Sequence, residues 1–564
     1  MQKIWLSSYP PGVPAEIDYS GNRSVGELFE KNAAKFQDRP AFYNMGTTIT
    51  FGELDRRSRD FAAWLQGRGL RKGARVAVMM PNCLQYPIAA FGILRAGCVV
   101  VNVNPLYTSR ELEHQLKDAG AEAIVILENF CHVLAEVVAR TPVRHVAVAA
   151  LGDLLGAKGL LVNFVLRHVK KMVPAWSIEG TVRFNGALAE GARRELAKVD
   201  VGHEDVAFLQ YTGGTTGVAK GATLTHRNIL ANLEQSFAWI KPFLDESQPQ
   251  IIITALPLYH ILSLTANCLF MLKIGGCNIL ITNPRDIPAF VKELAKHRFT
   301  MFTGVNTLFN ALLNNPGFAK LDFSGIKVAL GGGMAVQKSV ADRWKQVTGS
   351  TLVEAYGLSE TSPAVTINPL DLAAYNGAIG LPIPSTEVEL RGDDGKPVPL
   401  GQPGEICVRG PQVMRGYWNR PDETAKVIDS RGFFATGDIG VMDEKGYVRI
   451  VDRKKDMIIV SGFKVFPNEL EAVIAAHPGV LECAVIGVPD EHSGEVPKVF
   501  VVRKDPALTE ADLRRYFQEN LTGYKRPKYV EFRKELPKTN VGKILRRALR
   551  DEARAAPQTE PVRL

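Results

Sequence analysis

No stretch of roughly 18 consecutive apolar residues occurs anywhere in this chain, which excludes a helix spanning a membrane. Its opening residues, Met1 to Pro10, contain no continuous hydrophobic region, so no secretory leader is expected. Seven cysteines are few for 564 residues. They form no C-x-x-C pair and mostly sit in apolar runs such as Ala96-Gly97-Cys98-Val99-Val100, as reduced core residues of a cytosolic protein would. No fixed-period repeat or low-complexity tract is present, which excludes solenoids and disordered arrays. The formal charge of +9 is modest and scattered, with no aromatic-basic strand of the RNA-binding kind, so nucleic acid is not an expected partner. A Walker A loop is missing too: Lys220 is preceded by Ala219 and followed by Gly221, while Gly542-Lys543 is followed by Ile544 and has Pro537 where the first glycine belongs.

What remains is an enzyme-sized chain with 46% hydrophobic and 23% charged residues. At roughly 150 residues per domain it predicts three or four packed lobes. Its most informative stretch is Tyr211-Thr212-Gly213-Gly214-Thr215-Thr216-Gly217-Val218-Ala219-Lys220-Gly221, directly after the apolar run from Val206. Glycines let several backbone N–H groups turn toward one anion, threonine hydroxyls add donors, and the lysine adds a compact charge. This composition suits the phosphates of a nucleotide.

Short apolar runs alternate with helical patterns through the first half. Residues 75–80, 99–101 and 123–127 read as strands, Tyr86 to Arg95 as a helix, and Thr108 with Glu111 as a capping box opening a helix through Lys117. Such alternation predicts largely parallel sheets covered by helices, with the glycine-rich loop beyond a strand's C-terminal end. After residue 380, closely spaced glycines and prolines suggest a small β-rich lobe at about 381–452. The charged joint Val451 to Asp456 predicts a boundary, with 1–452 as one domain and 453–564 as a second. In the latter, Asn468 to Ala476 and the segment from Thr509 read as helices, and Cys483 to Val488 and Phe500 to Val502 as strands. One surface segment joins an apolar run to a basic cluster, Leu160 to Val173, including Arg167, Lys170 and Lys171. It fits either a helix docked on its own domain or one resting on an anionic bilayer.

The loop at 211–221, Tyr356-Gly357-Leu358-Ser359-Glu360-Thr361, Thr436-Gly437-Asp438, Asp452-Arg453-Lys454-Lys455 and Pro537 to Lys543 occur in this order. Together they closely resemble the adenylate-forming superfamily of acyl-CoA synthetases, luciferases and peptide-synthetase adenylation domains. The likeness covers about residues 25 to 550. It is nearest to bacterial long-chain fatty-acid–CoA ligases through Val101 to Tyr107, Ala255 to His260 and Ile281 to Asp286.

The resemblance implies an α/β fold: a large N-terminal domain of two mainly parallel αβ lobes plus the small β-rich lobe, then a small mobile α+β C-terminal domain. It implies ATP and CoA as substrates, a fatty acid as the acyl donor and Mg²⁺ as cofactor. Thr212, Gly213, Gly214, Thr215, Thr216, Gly217 and Lys220 are the expected phosphate cradle, with Ser359 beside them. Glu360, with Thr212, is the expected Mg²⁺ ligand. Gly332, Gly333, Glu354 and Tyr356 are the expected adenine pocket, and Asp438 and Arg453 the expected ribose contacts. Lys543 is expected to act in adenylation, His260 to gate the acyl pocket, Lys455 to serve as the hinge and Gly462 to lie near bound CoA. Two positions depart from the family pattern: Gly432-Phe433 replaces Gly-Trp, and Gly214 stands where many relatives carry serine. The competing functions are a fatty acyl-AMP ligase, a medium-chain or aryl acid CoA ligase, and a non-catalytic lipid-binding membrane-associated protein. A cytoplasmic location, peripheral on the inner membrane if the basic segment binds lipid, is the corresponding expectation.

Overall fold

Apolar runs bounded by glycine and polar turns build two large, mostly parallel sheets in the computed structural model, which describes residues 3–212, 219–245, 247–539 and 542–555. The eight-stranded sheet has Val206–Thr212 beside Val99–Asn102, then Arg75–Met79, Ala123–Leu127, His145–Ala149 and Val182–Arg183 in parallel. Lys220–Thr225 and Gly416–Tyr417 extend its other edge antiparallel. The nine-stranded sheet centres on parallel strands Cys277–Leu280, Ile251–Thr254, Met301–Gly304, Val328–Gly331 and Leu352–Gly357. Strands buried on both faces read as near-continuous apolar runs, and Val99–Asn102, Ala123–Leu127 and Val328–Gly331 are buried throughout, with the one polar side chain, Asn102, hydrogen-bonded.

The helices start where local chemistry caps them. Thr108 and Glu111 form the expected capping box of Ser109–Ala119, and Gly120 ends it in the left-handed region at φ 62°. The expected helix at 86–95 is Gln85–Arg95, and those in the C-terminal part are Pro467–Ala475 and Glu510–Asn520. An antiparallel sheet of four strands spans Glu387–Arg391, Gly404–Arg409, Phe434–Met442 and Val448–Arg453. Leu381–Pro382 pairs instead with the nine-stranded sheet, and Gly416–Tyr417 leaves for the eight-stranded one. Ile458–Val460, Phe463–Val465, Val480–Asp490, Gly494–Arg503 and Tyr529–Arg533 make a separate sheet packed over its own apolar cluster, which includes Leu470, Val485, Val499, Leu513 and Phe517.

A buried network joins the two large sheets. The Tyr86 hydroxyl lies 2.8 Å from both Asn102 Oδ1 and the Leu258 carbonyl oxygen, which share its single proton. Asn102 Nδ2 donates to Gln210 Oε1 at 3.1 Å, and Gln210 Nε2 to the Tyr259 carbonyl at 2.9 Å. The bonds of Tyr86 and Asn102 lie out of water, where an unmatched donor costs roughly 1–3 kcal/mol, and the half-buried Gln210 bond extends them, so the network fixes the Pro257 to His260 loop against the end of the strand that precedes the glycine-rich loop.

His226 ties the N-terminal helix to this body: its Nδ1 accepts the Val25 N–H at 3.0 Å, with the ring buried. Burial pushes its pKa down to about 4. The unfolded chain therefore takes the proton more readily, and stability falls as pH drops from about 6.5 toward 4. The expected cost is about 3 kcal/mol. A thermal-unfolding series over that range should lose this component in His226→Gln.

Candidate active site

The C-terminal ends of the parallel strands of both large sheets open on one cleft, a continuous cavity of about 2410 Å³. The register sets Gly331 beside Glu354, so the chain leaving the first strand at Gly332-Gly333 meets Glu354 and Tyr356 at the same edge. Gly333 has φ 76°, a conformation glycine adopts without strain. Glu354 is buried. Its carboxylate accepts the Val336 N–H at 3.0 Å and the Tyr375 hydroxyl at 2.9 Å, while burial raises its pKa to about 7.

Beyond Tyr356 the chain turns back on itself, and at Gly357 a Cβ would lie 1.9 Å from the Pro363 carbonyl oxygen, so this close approach needs glycine. The turn Ser359–Thr361 follows and holds Glu360 nearly buried, with Oε1 accepting the Tyr417 hydroxyl at 2.9 Å. Burial raises its pKa, against that bond and the charge of Arg453. Asp438 and Arg453 face each other across an antiparallel pair. Asp438 Oδ2 accepts the Tyr356 hydroxyl at 2.7 Å, and Oδ1 lies 3.3 Å from Arg453 Nε.

The C-terminal segment enters the same cleft. The Gly542 carbonyl accepts the Thr307 hydroxyl at 3.1 Å, and Thr539 closes the turn by accepting the Lys543 N–H at 3.0 Å. Gly542 has φ 81°, and a Cβ there would meet Thr307 Oγ1 at 2.6 Å, so this docking needs glycine. Desolvation, then the charge of Arg453, lowers the Lys543 pKa to about 8, against the pull of Asp438 and Glu360. His260 faces it: Nδ1 accepts the Leu262 N–H at 3.3 Å, and burial with the charge of Lys543 pushes its pKa down to about 4, so the ring is neutral at pH 7.

Among the sequence-predicted residues, Thr212, Lys220, His260, Gly333, Glu354, Tyr356, Ser359, Glu360, Asp438, Arg453, Lys455 and Lys543 all line this cavity. Gly332 stands behind the wall, where its Cβ position is 3.3 Å from the Ala355 carbonyl oxygen. Gly462, at φ 86° in the hairpin between Ile458–Val460 and Phe463–Val465, is not on the cavity wall in this arrangement. Gly213, Gly214, Thr215, Thr216 and Gly217 lie outside the described residues. Sequence reasoning missed Tyr417, whose hydroxyl holds Glu360, and Thr307, which docks Gly542. It also missed Arg546, whose guanidinium lies 2.6 Å from Glu471 and 3.5 Å from both Asp452 and Asp456. Only the Arg546 cluster had a signal, an unusual density of acids and bases around the 452–456 joint.

The fold and the cleft define a member of the adenylate-forming superfamily. The chain belongs to the AMP-binding enzyme family, which it matches over residues 29–418, with the AMP-binding enzyme C-terminal domain at 469–543. It is 60% identical over 556 residues to a long-chain-fatty-acid–CoA ligase of Escherichia coli O157:H7, covering 98% of this chain and 99% of the relative. Its fold is similar to that of the anthranilate CoA ligase AuaEII in complex with anthranoyl-AMP, at TM-score 0.84 and 25% identity, covering 96% and 99% of the two chains. It is also similar to ATP-bound MatB from Rhodopseudomonas palustris, at TM-score 0.77 and 30% identity, covering 94% and 99%.

Proposed function

We propose that this chain is a long-chain fatty-acid–CoA ligase, acting on ATP, a fatty acid and CoA through an acyl-adenylate. The observation that carries the proposal is the mixed lining of the cavity. Its wall combines polar Thr212, Lys220, Glu360, Asp438 and Lys543 with apolar Ile240, Ile252, Phe270, Met301, Val328 and Leu330. Met301 and Val328 are the first residues of their strands, so the cavity wall includes residues from the start of these strands as well as from beyond their ends. That apolar lining suits an alkyl chain. The name carried by the E. coli relative agrees with this reading.

A carboxylate resists thiols because its leaving group would be an oxide. A fatty-acid oxygen first attacks the α-phosphorus of ATP, and the α–β phosphoanhydride bond breaks to release pyrophosphate. CoA sulfur then attacks the acyl carbon, the carbon–oxygen bond to AMP breaks, and the thiol proton passes to solvent. The first step gathers negative charge on phosphate oxygens, which Lys543 and Lys220 oppose with preorganised cations. Glu354 and Tyr356 frame the base, and Asp438 accepts the ribose hydroxyls beside Arg453. The donor set suits Mg²⁺: the Glu360 carboxylate and the Thr212 hydroxyl are hard oxygen ligands, too few for a protein-only site, as expected of an ion shared with phosphates. Among the described residues no cluster of three His, Cys, Asp or Glu could hold a metal alone. Bound there, the ion supplies charge neutralisation along the phosphates.

The second step needs Lys543 withdrawn and CoA admitted. We assign 453–564 to a mobile domain, 1–452 to the fixed body, Lys455 to the pivot and Gly462 to the CoA passage of the rotated state. The supporting feature is the change of sheet between Arg453 and Ile458. Pyrophosphate release measured across carboxylates from acetate to oleate tests the whole reading. Oleate should outpace acetate and benzoate, and CoA should convert the product to thioester. Arrest at acyl-AMP would favour an acyl-AMP ligase, preference for benzoate an aryl acid ligase, and no release a non-catalytic lipid-binding protein.

The partner surface includes an anionic membrane. Ala157–Phe164 continues as a wider helical turn, Val165–Val169, and exposes Leu160, Leu161, Phe164, Val169 and Met172 beside Lys170 and Lys171. Soluble surfaces rarely group large apolar side chains so densely, and a basic fringe suits anionic headgroups. Arg167 is not part of that fringe: it pairs with buried Glu128 at 2.8 Å, which Arg183 also contacts at 3.1 Å. Among the described residues no helix is long and apolar enough to cross a membrane. Leu161→Ser with Phe164→Ser should reduce sedimentation with phosphatidylglycerol vesicles several-fold; unchanged sedimentation removes this role.

A further inference from the structure

Lys220 does not wait for its anion with a bare charge. Its ammonium forms an ion pair with Glu423 and lies 5.2 Å from the centroid of the Tyr417 ring. Tyr417 in turn bonds Glu360, so one short segment touches two of the expected phosphate-site residues. The segment is fixed against the Lys220 strand. Gly416 and Tyr417 pair with Thr223 and Ala222, and the Trp418 N–H donates to the Gly221 carbonyl at 2.8 Å. Thr424 Oγ1 accepts the Tyr417 N–H at 2.9 Å, and the Thr424 side chain packs so closely on Gly416 that a Cβ there would meet its Cγ2 at 2.7 Å. Pro421–Ala425 therefore carries Glu423 on a rigid turn. The other carboxylate oxygen lies 2.5 Å from Lys426 Nζ, which is exposed to solvent.

We propose that Glu423 is a resident counter-ion that Lys220 exchanges for the phosphate chain of ATP: its carboxylate occupies the ammonium while the site is empty, yields it when the nucleotide arrives, and takes it back as pyrophosphate departs. The inference rests on the assignment of Lys220 to the phosphates made above. Two properties make Glu423 suited to the exchange. Lys426 and solvent remain to satisfy its charge when Lys220 turns away, so displacement strands no buried ion. Its pairing with both lysines also keeps it ionised, with its pKa lowered to about 2. The consequence is kinetic as well as thermodynamic. A carboxylate competing for the same ammonium weakens the hold on pyrophosphate after adenylation, and so favours forward release over reversal.

Calorimetric titration of the full chain with Mg-ATP and with Mg-pyrophosphate, without fatty acid, tests this. Glu423→Gln, nearly isosteric, should tighten both ligands about fivefold, the scale of one partly exposed ion pair, and lower the pyrophosphate inhibition constant by the same factor. Asp422→Asn, an equal charge change one residue away at the exposed surface, should leave both affinities unchanged. In a Lys220→Ala background, Glu423→Gln should have no effect. Weaker or unchanged binding in Glu423→Gln overturns the proposal and makes Glu423 a fixed support of Lys220. A gain that persists without Lys220, or that Asp422→Asn reproduces, overturns it in favour of general charge attraction. If Lys220→Ala itself leaves Mg-ATP binding intact, the assignment of Lys220 fails instead, which separates the two failures.

Discussion

Lys543→Ala is expected to slow fatty-acid-dependent pyrophosphate release by about 10²- to 10³-fold, the usual cost of removing one preorganised charge stabiliser, while supplied acyl-AMP is still converted to acyl-CoA at close to the normal rate. The asymmetry follows from where the lysine sits. Gly542 docks on Thr307 and carries the ammonium to the wall shared with Glu360, Asp438 and His260. In the first step negative charge grows around the α-phosphorus and on departing pyrophosphate; in the second it grows on the acyl oxygen and on departing AMP, after the proposed rotation has withdrawn Lys543. A pH profile supplies an independent readout. With its pKa lowered to about 8, the lysine is charged below that value and neutral above it. Adenylation should therefore fall as pH rises through about 8, and thioester formation from supplied acyl-AMP should lack this limb. Equal losses in both half-reactions would remove the alternation of the C-terminal domain from the account.

Glu360→Gln should lower kcat/KM for ATP by about 10²-fold and raise the Mg²⁺ concentration needed for half-maximal adenylation. Glutamine keeps an oxygen for the Tyr417 hydroxyl, so the turn Ser359–Thr361 should survive and the thermal midpoint should move little. An ion held by Glu360 would act on the β- and γ-phosphates, which AMP lacks, so AMP affinity should change far less than the kcat/KM for ATP. A variant with normal Mg²⁺ dependence and normal ATP turnover would show that this carboxylate has no part in the phosphate site.

The parallel strands were legible because burial on both faces requires continuous apolar runs, and the helix at 109–119 because its capping box is local. That most of the predicted site residues share one cleft was legible for another reason: the resemblance ordered separated motifs, and their side chains line a single cavity. Long-range pairing was not. Tyr417 reaches Glu360, and Glu423 reaches Lys220, only because Gly416–Tyr417 joins the far edge of the eight-stranded sheet. Nothing in the local sequence distinguishes that two-residue strand from a loop. Arg167 read as a surface cation for the same reason, since its partner Glu128 lies 39 residues away.

The central claim, that this cleft joins a fatty-acid oxygen to the α-phosphorus of ATP, is tested most directly by oxygen tracing. Oleate labelled with ¹⁸O in both carboxylate oxygens, incubated with enzyme, Mg-ATP and CoA, should yield AMP carrying one ¹⁸O in its phosphate, with unlabelled pyrophosphate. ADP as the nucleotide product, or AMP without label, would contradict the account.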